Sequence, residues 1–385
     1  MPRSCSMSNY LECSKRINPM KQTPLIAQHR TAGAKLVDFA GWEMPIQYSG
    51  VLDEYHTVRS KAGLFDVSHM GRLMVSGSGA LAFLQAVTTN DVAKLAVGQA
   101  HYSMVCNNEG GIKDDIFVYR LKPADYLLCV NASNRGKVLT WLQARPRDAN
   151  VVLEDHSDQM AQIALQGPIS KDIMIALGGT AVTTLKLHHS CEATLASIPT
   201  LIARTGYTGE LGYELYASAD RIGVLWERIV EAGDSKGLKP AGLGSRDLLR
   251  LEMGYLLYGN DIDETTTPIE AAVEWTVSVE KGDFAGRAKL LAQKDGGPAK
   301  RFVGFELLEK AVPRHGCKIL DASSSQPIGE VSSGNLSPIL QKGIGLGYVP
   351  FALSAIGTRI TIDIRGKAVP AQIVKTPFYR KPKST

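Results

Sequence analysis

Residues 107–119 read NNEGGIKDDIFVY, a Gly-Gly turn running straight into β-branched and aromatic side chains headed by two carboxylates. Side chains alternate faces along a strand, so Asp115, Phe117 and Tyr119 share one face while Asp114, Ile116 and Val118 share the other. One acid therefore stands in line with two flat rings. That pattern suits a pocket for a planar heterocycle, with the acid placed to exchange a proton at a ring nitrogen. A second account, that the Asp pair only caps the hairpin turn, fits the spacing as well.

Working outward, residues 115–121 and 126–130 are strand-like runs. On either side, residues 78–90 place Leu81, Phe83, Leu84 and Val87 at helical spacing, and residues 218–232 do the same with Ile222, Leu225, Trp226, Ile229 and Val230. Both predict amphipathic helices lying on a sheet, so the first 290 or so residues read as α+β. The stretch 23–48, TPLIAQHRTAGAKLVDFAGWEMPIQY, mixes a short helical pattern with a turn at 41–45. After the helical DFAGRAKLLAQK (283–294) and the turn cluster DGGPAK the texture changes. Residues 301–307, 343–349, 359–364 and 369–374 are short β runs at the spacing of a small barrel or sandwich. These changes divide the chain into residues 1–22, 23–295 and 296–385, and no internal repeat is visible.

Composition narrows the class. With 385 residues, 44% hydrophobic and 21% charged, the chain has the mix of a soluble globular protein of about two or three domains. No apolar run approaches the roughly 20 residues of a membrane-spanning helix. The net charge of +5 is dispersed rather than gathered into a Lys/Arg block, which fits an anionic substrate or an acidic partner and does not indicate nucleic acid. Six cysteines without Cys-x-x-Cys spacing argue against a zinc site, a redox motif or a disulfide framework. The first 22 residues carry Arg3, Lys15, Arg16 and Lys21 against Glu12 alone, the composition of a mitochondrial targeting segment or of a plain basic tail.

Three further segments hold candidate chemistry. RTGYTGELGYELY (204–216) offers Glu214, whose two acceptors side by side could hold the amino-pyrimidinone edge of a pterin, while Glu210 falls in the turn and should be solvated. PAGLGSRDLLRLEMGYLLYGNDID (240–263) sets Arg246 and Arg250 four apart, able to share one helix face toward an anionic tail or to pair with Asp247 and Glu252. TPFYRK (376–381) leaves Arg380 behind an aromatic pair near the chain end. His69 reads as a structural residue. Signatures of P-loop, dinucleotide, zinc-protease and serine-hydrolase chemistry are missing.

Taken in order, VDFAGWEMPIQY, GLFDVSHMG, NEGGIKDD, LQGP, RTGYTGELGYEL, PAGLGSRDLLRLE with YGNDIDETTTPIEA, SSGNLSPIL and KTPFYRKP resemble the glycine cleavage T-protein family from about Thr23 to Pro382. The resemblance implies a three-lobed cloverleaf, two intertwined α+β lobes plus a C-terminal β-barrel. It implies an aminomethyltransferase that moves a one-carbon unit from the aminomethyl-dihydrolipoyl arm of H-protein to tetrahydrofolate, without a metal, in the mitochondrial matrix. Carried over by motif, Asp115 would be the catalytic acid, Glu214, Arg246 and Arg380 folate-binding positions, and Tyr102, Tyr207 and Trp275 aromatic neighbours of the folate. Leu211 and Ser245 depart from residues common in the family, at positions given no chemistry. A folate-dependent demethylase is the nearest alternative. An accessory protein of iron–sulfur cluster assembly would carry Lys-Gly-Cys, and here Asp283 stands where that cysteine would be.

Overall fold

The structure is a computed structural model and describes residues 20–381. Residues 1–19, which hold most of the basic N-terminal segment, lie outside the described residues. Two large sheets, the first wholly antiparallel and the second mixed through one parallel pair, form most of the first part of the chain. One runs in the order Ala100–Cys106, Ile112–Lys122, Asp125–Val130, Gly71–Ser76, Val152–Asp155; the other runs Ser190–Leu195, Ile198–Ala203, Gly212–Ser218, Met160–Gln166, Ala62–Asp66, Leu238–Pro240. The successive strands Ala62–Asp66 and Gly71–Ser76 thus sit in different sheets, as do Val152–Asp155 and Met160–Gln166. Ala62–Asp66 pairs with Met160–Gln166, Leu64 opposite Leu165, whereas Gly71–Ser76 pairs with Val152–Asp155, Leu73 opposite Asp155.

The chain therefore crosses between lobes twice, at 67–70 and at 156–159, and one residue joins the crossings. The Arg72 guanidinium, 1% exposed, donates to the carbonyls of Ser68 and Met70 in the first crossing and of Ser157 in the second. The Arg72 amide adds a bond of 2.8 Å to Ser157 Oγ. A charge this deep is tolerable because carbonyl dipoles replace its hydration.

Each sheet is covered on one face. Helix Ala80–Val87 buries Ala80, Phe83, Leu84 and Val87 against the first sheet, and helix Ile222–Asp234 buries Ile222, Leu225, Trp226 and Ile229 against the second. Apolar side chains at this spacing each contribute about 1.5–3 kcal/mol when taken from water. The uncovered faces meet each other over Tyr119, Leu127, Cys129, Leu201, Ala203 and Tyr216. That contact brings strand Ile112–Lys122 opposite strand Gly212–Ser218.

Contrary to the sequence expectation, the lobes contain an internal repeat. Strand, helix, 3-10 turn and strand recur in Gly71–Ser76, Ala80–Val87, Val92–Lys94, Ala100–Cys106 and in Met160–Gln166, Ser170–Ala176, Thr180–Thr184, Ser190–Leu195. Their hydrogen bonds match in pairs. Ala100 N donates to His188 O at 2.8 Å and Ser190 N to Gly98 O at 2.7 Å; Gly98 N donates to Arg120 O and His188 N to Arg204 O; Arg120 Nη1 caps Leu95 O and Arg204 Nη1 caps Leu185 O. Between 94–100 and 184–190 only Leu95 and Leu185 are identical, so backbone geometry is kept while side chains diverge.

The C-terminal part closes as a barrel of Lys300–Leu307, Lys342–Pro350, Pro327–Ser337, Lys318–Asp321, Arg359–Ile364 and Lys367–Val374 around Phe305, Ile319, Val331, Ile362 and Val369. This is the α+β cloverleaf with a C-terminal barrel expected from sequence. Near the N-terminus the expected turn at 41–45 is narrower. It is made by Ala40 and Gly41, both at positive φ, and Pro45 lies inside strand Trp42–Gln47 opposite Leu36, beside a register shift. This segment docks through His29, whose Nε2 is 2.9 Å from Asp66 Oδ2 and whose Nδ1 is 2.9 Å from the Tyr48 hydroxyl.

Candidate active site

The turn that starts the deciding strand is capped by Asn107. Its side-chain oxygen accepts from the amides of Glu109 and Gly111, and a Cβ at Gly111 would overlap the Glu264 carbonyl. The Asp pair is thereby free of turn duty. Asp114 points to the buried face and accepts from Asn131 N at 2.9 Å, Asn131 Nδ2 at 2.9 Å and Asn134 Nδ2 at 2.5 Å. Asp115 points the other way. Its Oδ2 accepts from the Tyr102 hydroxyl at 2.7 Å and its Oδ1 from Asn131 Nδ2 at 2.7 Å, so one asparagine amide bridges both acids.

Burial pushes both carboxyls upward. Repulsion from Asp115 adds to the effect at Asp114, which reaches about 7, while the Tyr102 and Asn131 donors work against it at Asp115. The acids titrate as a pair. Asn131 was beyond sequence reasoning: it follows strand Asp125–Val130, and its register opposite the Asp pair depends on the sheet.

A row of rings extends from this acid. Tyr102 lies 5.8 Å from Trp275 and 5.7 Å from Phe117; Phe117 lies 6.0 Å from Tyr119, and Tyr119 lies 5.9 Å from Tyr216 across the lobe boundary. Trp275 is 63% exposed and forms the open end. Behind Phe117 stands His188, 5.5 Å away and edge-on, at φ +59 where its repeat mate Gly98 has φ +81. Side chains rarely adopt this backbone region, and a non-glycine residue there often marks a functional constraint.

The opposite wall comes from the second lobe. Glu214 is partly rather than fully buried; it accepts from Thr205 Oγ1, from Gln162 Nε2 at 3.2 Å and from the Tyr119 hydroxyl at 3.4 Å. All three donors are neutral, so its charge is left for another partner. Arg246, in helix Leu243–Glu252, lies over the Tyr207 ring at 4.6 Å, and its Nη1 is buried without a hydrogen-bond partner among the described residues. Burial lowers its pKa while Tyr207 and Glu214 oppose that. Tyr207 stacks on Tyr255 at 5.7 Å, and its hydroxyl donates to Leu256 O. Burial raises this phenol; Asp115 and Arg246 both act on it, which puts the Tyr207 loop between the two walls.

Arg250 does not share the Arg246 face. It is buried on Asp247 at 2.8 Å, Asp261 at 2.7 Å and Ser333 at 2.8 Å, so the ion pairing considered for the helix belongs to Arg250 alone. Glu210 also departs from expectation: its side chain is 0% exposed and paired with Arg59 and Lys381. Arg380 is exposed and, among the described residues, forms no ion pair or side-chain hydrogen bond; it is set between Tyr379 and Lys381, both of which are docked. His69 is buried beside Phe39 and held down to about 4, chiefly by burial, so it is neutral. The structure thus brings Asp115, Tyr102, Trp275, Glu214, Arg246 and Tyr207 into one neighbourhood and leaves Arg380 on the adjoining tail.

Comparison with known proteins places most of the chain in one family. The GCVT N-terminal domain family matches residues 25–281, and the glycine cleavage T-protein C-terminal barrel domain matches residues 300–380. An aminomethyltransferase of Halothermothrix orenii is 47% identical over 359 residues, 93% of this chain and 100% of that one. One from Chloroherpeton thalassium is 47% identical over 362 residues, 94% and 99% of the two chains. The crystal structure of glycine cleavage system aminomethyltransferase T from Bartonella henselae superposes with a TM-score of 0.87 at 35% identity, covering 94% of this chain and 98% of its own. The chain belongs to the glycine cleavage T-protein family.

Proposed function

We infer that the chain is an aminomethyltransferase of glycine cleavage, and we propose tetrahydrofolate as its acceptor and lipoylated H-protein as its donor. The observation that carries the reading is the half-buried Asp115 carboxylate at the inner end of an aromatic row, facing a wall where, among the described residues, Glu214 lacks a cationic partner and Arg246 Nη1 lacks any acceptor. A planar pteridine with adjacent N–H donors and ring acceptors satisfies both orphans. Glu214 accepts from the N–H edge, and Arg246 donates to the ring or to the anionic tail.

The acceptor supplies a secondary amine as nucleophile. Asp115 sets a negative charge beside the carbon that becomes cationic as ammonia leaves, and its carboxylate takes the proton released when the amine acquires that carbon; the carbon–sulfur bond then breaks as a second acceptor nitrogen bonds the carbon, and that nitrogen's proton leaves with the sulfur as the free dihydrolipoyl thiol. Tyr102 and Asn131 fix the orientation of the carboxylate. Trp275, Tyr102 and Tyr207 flank the ring and exclude water, which confines the transfer and limits loss of the carbon as formaldehyde. We assign Arg380, on the tail beside this group, to the far end of the acceptor.

The deciding experiment incubates the protein with aminomethyl-loaded H-protein and tetrahydrofolate and measures methylene-tetrahydrofolate and ammonia. No ammonia above the level without protein refutes the reading. The +5 charge supports electrostatic steering of an acidic H-protein, so its KM should rise between low and high salt. Residues 1–22 support a mitochondrial matrix location; a fusion of residues 1–24 to a reporter that stays cytosolic counts against it.

A further inference from the structure

Arg59, in helix Val51–Ser60, sits where four distant segments meet. Its Nη1 donates to the Thr208 carbonyl at 2.7 Å and to Glu210 Oε1 at 3.0 Å, and its Nη2 to Glu252 Oε2 at 2.6 Å. Its guanidinium also lies over the Tyr379 ring at 4.5 Å. Glu252 ends helix Leu243–Glu252 and takes further bonds from the Tyr55 hydroxyl at 2.7 Å and from Ser337 Oγ of the barrel at 2.5 Å. The tail that leaves the barrel after Val374 returns to the same point. Tyr379 N donates to the Glu252 carbonyl at 3.1 Å, and Lys381 Nζ is 2.9 Å from Glu210 Oε2.

Two carboxylates and two cations thus close a neutral cluster, with Arg59 at 5%, Glu210 at 0% and Glu252 at 1% side-chain exposure. Buried ions are costly unless their pairing and hydrogen bonds are complete, and breaking one pair strands the others. Such a cluster has one arrangement, not a continuum of them. Its members span the Gly-Tyr-Thr-Gly loop, both helices, the barrel and the tail, and the loop it grips is the one that carries Tyr207 under Arg246.

We propose that Arg59, Glu210 and Lys381 form a strap by which the C-terminal tail holds the Tyr207 loop in its acceptor-binding position, making them positioning residues for the pteridine site. The proposal rests on the tetrahydrofolate reading above. Loosening the strap lets the loop and the tail move together, so Tyr207 loses its seat between Arg246 and Tyr255 while Arg380 loses its fixed neighbours Tyr379 and Lys381. Asp115 and its partners are on the other lobe and keep their geometry. The chemical step is therefore spared and acceptor binding is not.

The test uses the full chain with Lys381→Met, an exposed position that does not threaten the fold, and Glu210→Gln, with Arg228→Ala in an exposed helix pair as the control. Two measurements are made on each: KM for tetrahydrofolate and for the loaded donor with kcat, and backbone hydrogen exchange across residues 204–211 and 375–381. Both strap variants should raise KM for tetrahydrofolate roughly three- to thirtyfold, the range of long-range coupling terms, with kcat and the donor KM within about twofold. Exchange should rise in both segments together, and the control should move neither reading. Unchanged exchange in 204–211 overturns the strap. Faster exchange with an unchanged KM for tetrahydrofolate reduces the cluster to a stability element and overturns the positioning role. If the parent protein fails to bind tetrahydrofolate, the functional reading falls by itself, and exchange in the two variants still decides whether tail and loop are coupled.

Discussion

Asp114→Asn is the substitution on which sequence and structure disagree most. By strand alternation alone it is a mild control for Asp115, since it lies on the face away from the pocket. In the fold, Asp114 Oδ1 takes two amide donors and Oδ2 a third, from Asn131 N. An asparagine can present its oxygen to only one of those positions. In its better orientation the new amide nitrogen faces the Asn131 N–H, leaving two donors buried and unsatisfied at about 1–3 kcal/mol each, or roughly 2–6 kcal/mol in all. The loss depends on pH, and its sign follows from the raised carboxyl. An unfolded aspartate titrates near 4, whereas Asp114 in the fold titrates at about 7. Between these values the folded state holds the extra proton, so the parent's stability is fully present below about 4 and declines as pH rises through 7. The Asn variant lacks that contribution. The stability gap should therefore be wider at pH 5 than at pH 8. Urea unfolding of both proteins at the two pH values measures it directly. A gap below 0.5 kcal/mol at pH 5, or one that widens toward pH 8, would falsify the assignment of Asp114 as a buried proton-holding anchor.

Three other outcomes follow from the same geometry. Asp115→Asn should lower kcat about a hundredfold to ten-thousandfold while tetrahydrofolate titration and circular dichroism stay near the parent; a turnover near the parent rate removes Asp115 from the chemistry. Tyr102→Phe keeps the ring row but removes the donor that favours ionised Asp115, so the acidic limb of kcat/KM should move to higher pH, and a limb that stays or moves down contradicts the role given to this hydroxyl. His188→Gly relieves a positive φ and should leave stability within about 1 kcal/mol of the parent while raising KM for tetrahydrofolate through loss of the Phe117 contact; an unchanged KM makes the histidine incidental.

What the residues disclosed was local. Alternation in DDIFVY was enough to orient Asp115 toward Phe117, and helical spacing found Ala80–Val87 and Ile222–Asp234. Contacts made across long stretches of chain stayed hidden. Glu210 looks like a turn residue because its partners, Arg59 and Lys381, are 151 and 171 positions away. Arg246 and Arg250 look equivalent until Asp261 and Ser333 claim one of them. Barrel strands Lys318–Asp321 and Pro327–Ser337 were missed because glycine and serine dominate the longer one, where close neighbours replace bulk: a Cβ on Gly329 would run into the Tyr348 carbonyl. The repeat is hard to read because backbone hydrogen bonds preserve most of it, with the Arg120 and Arg204 caps on Leu95 and Leu185 as its few side-chain traces.

The exchanged strands also dictate an order of events during synthesis. Ala62–Asp66 is buried along its whole length, yet its partner Met160–Gln166 is made about a hundred residues later. At about 5–20 residues per second the ribosome takes roughly 5–20 s to deliver it, and until then an apolar strand has no sheet to join. Neither lobe can finish folding before the second crossing has emerged, because Gly71–Ser76 likewise waits for Val152–Asp155. The first 150 residues should therefore depend on chaperones while nascent, and a slow-codon stretch placed between the two crossings should lower the yield of folded protein more than the same stretch placed in the barrel.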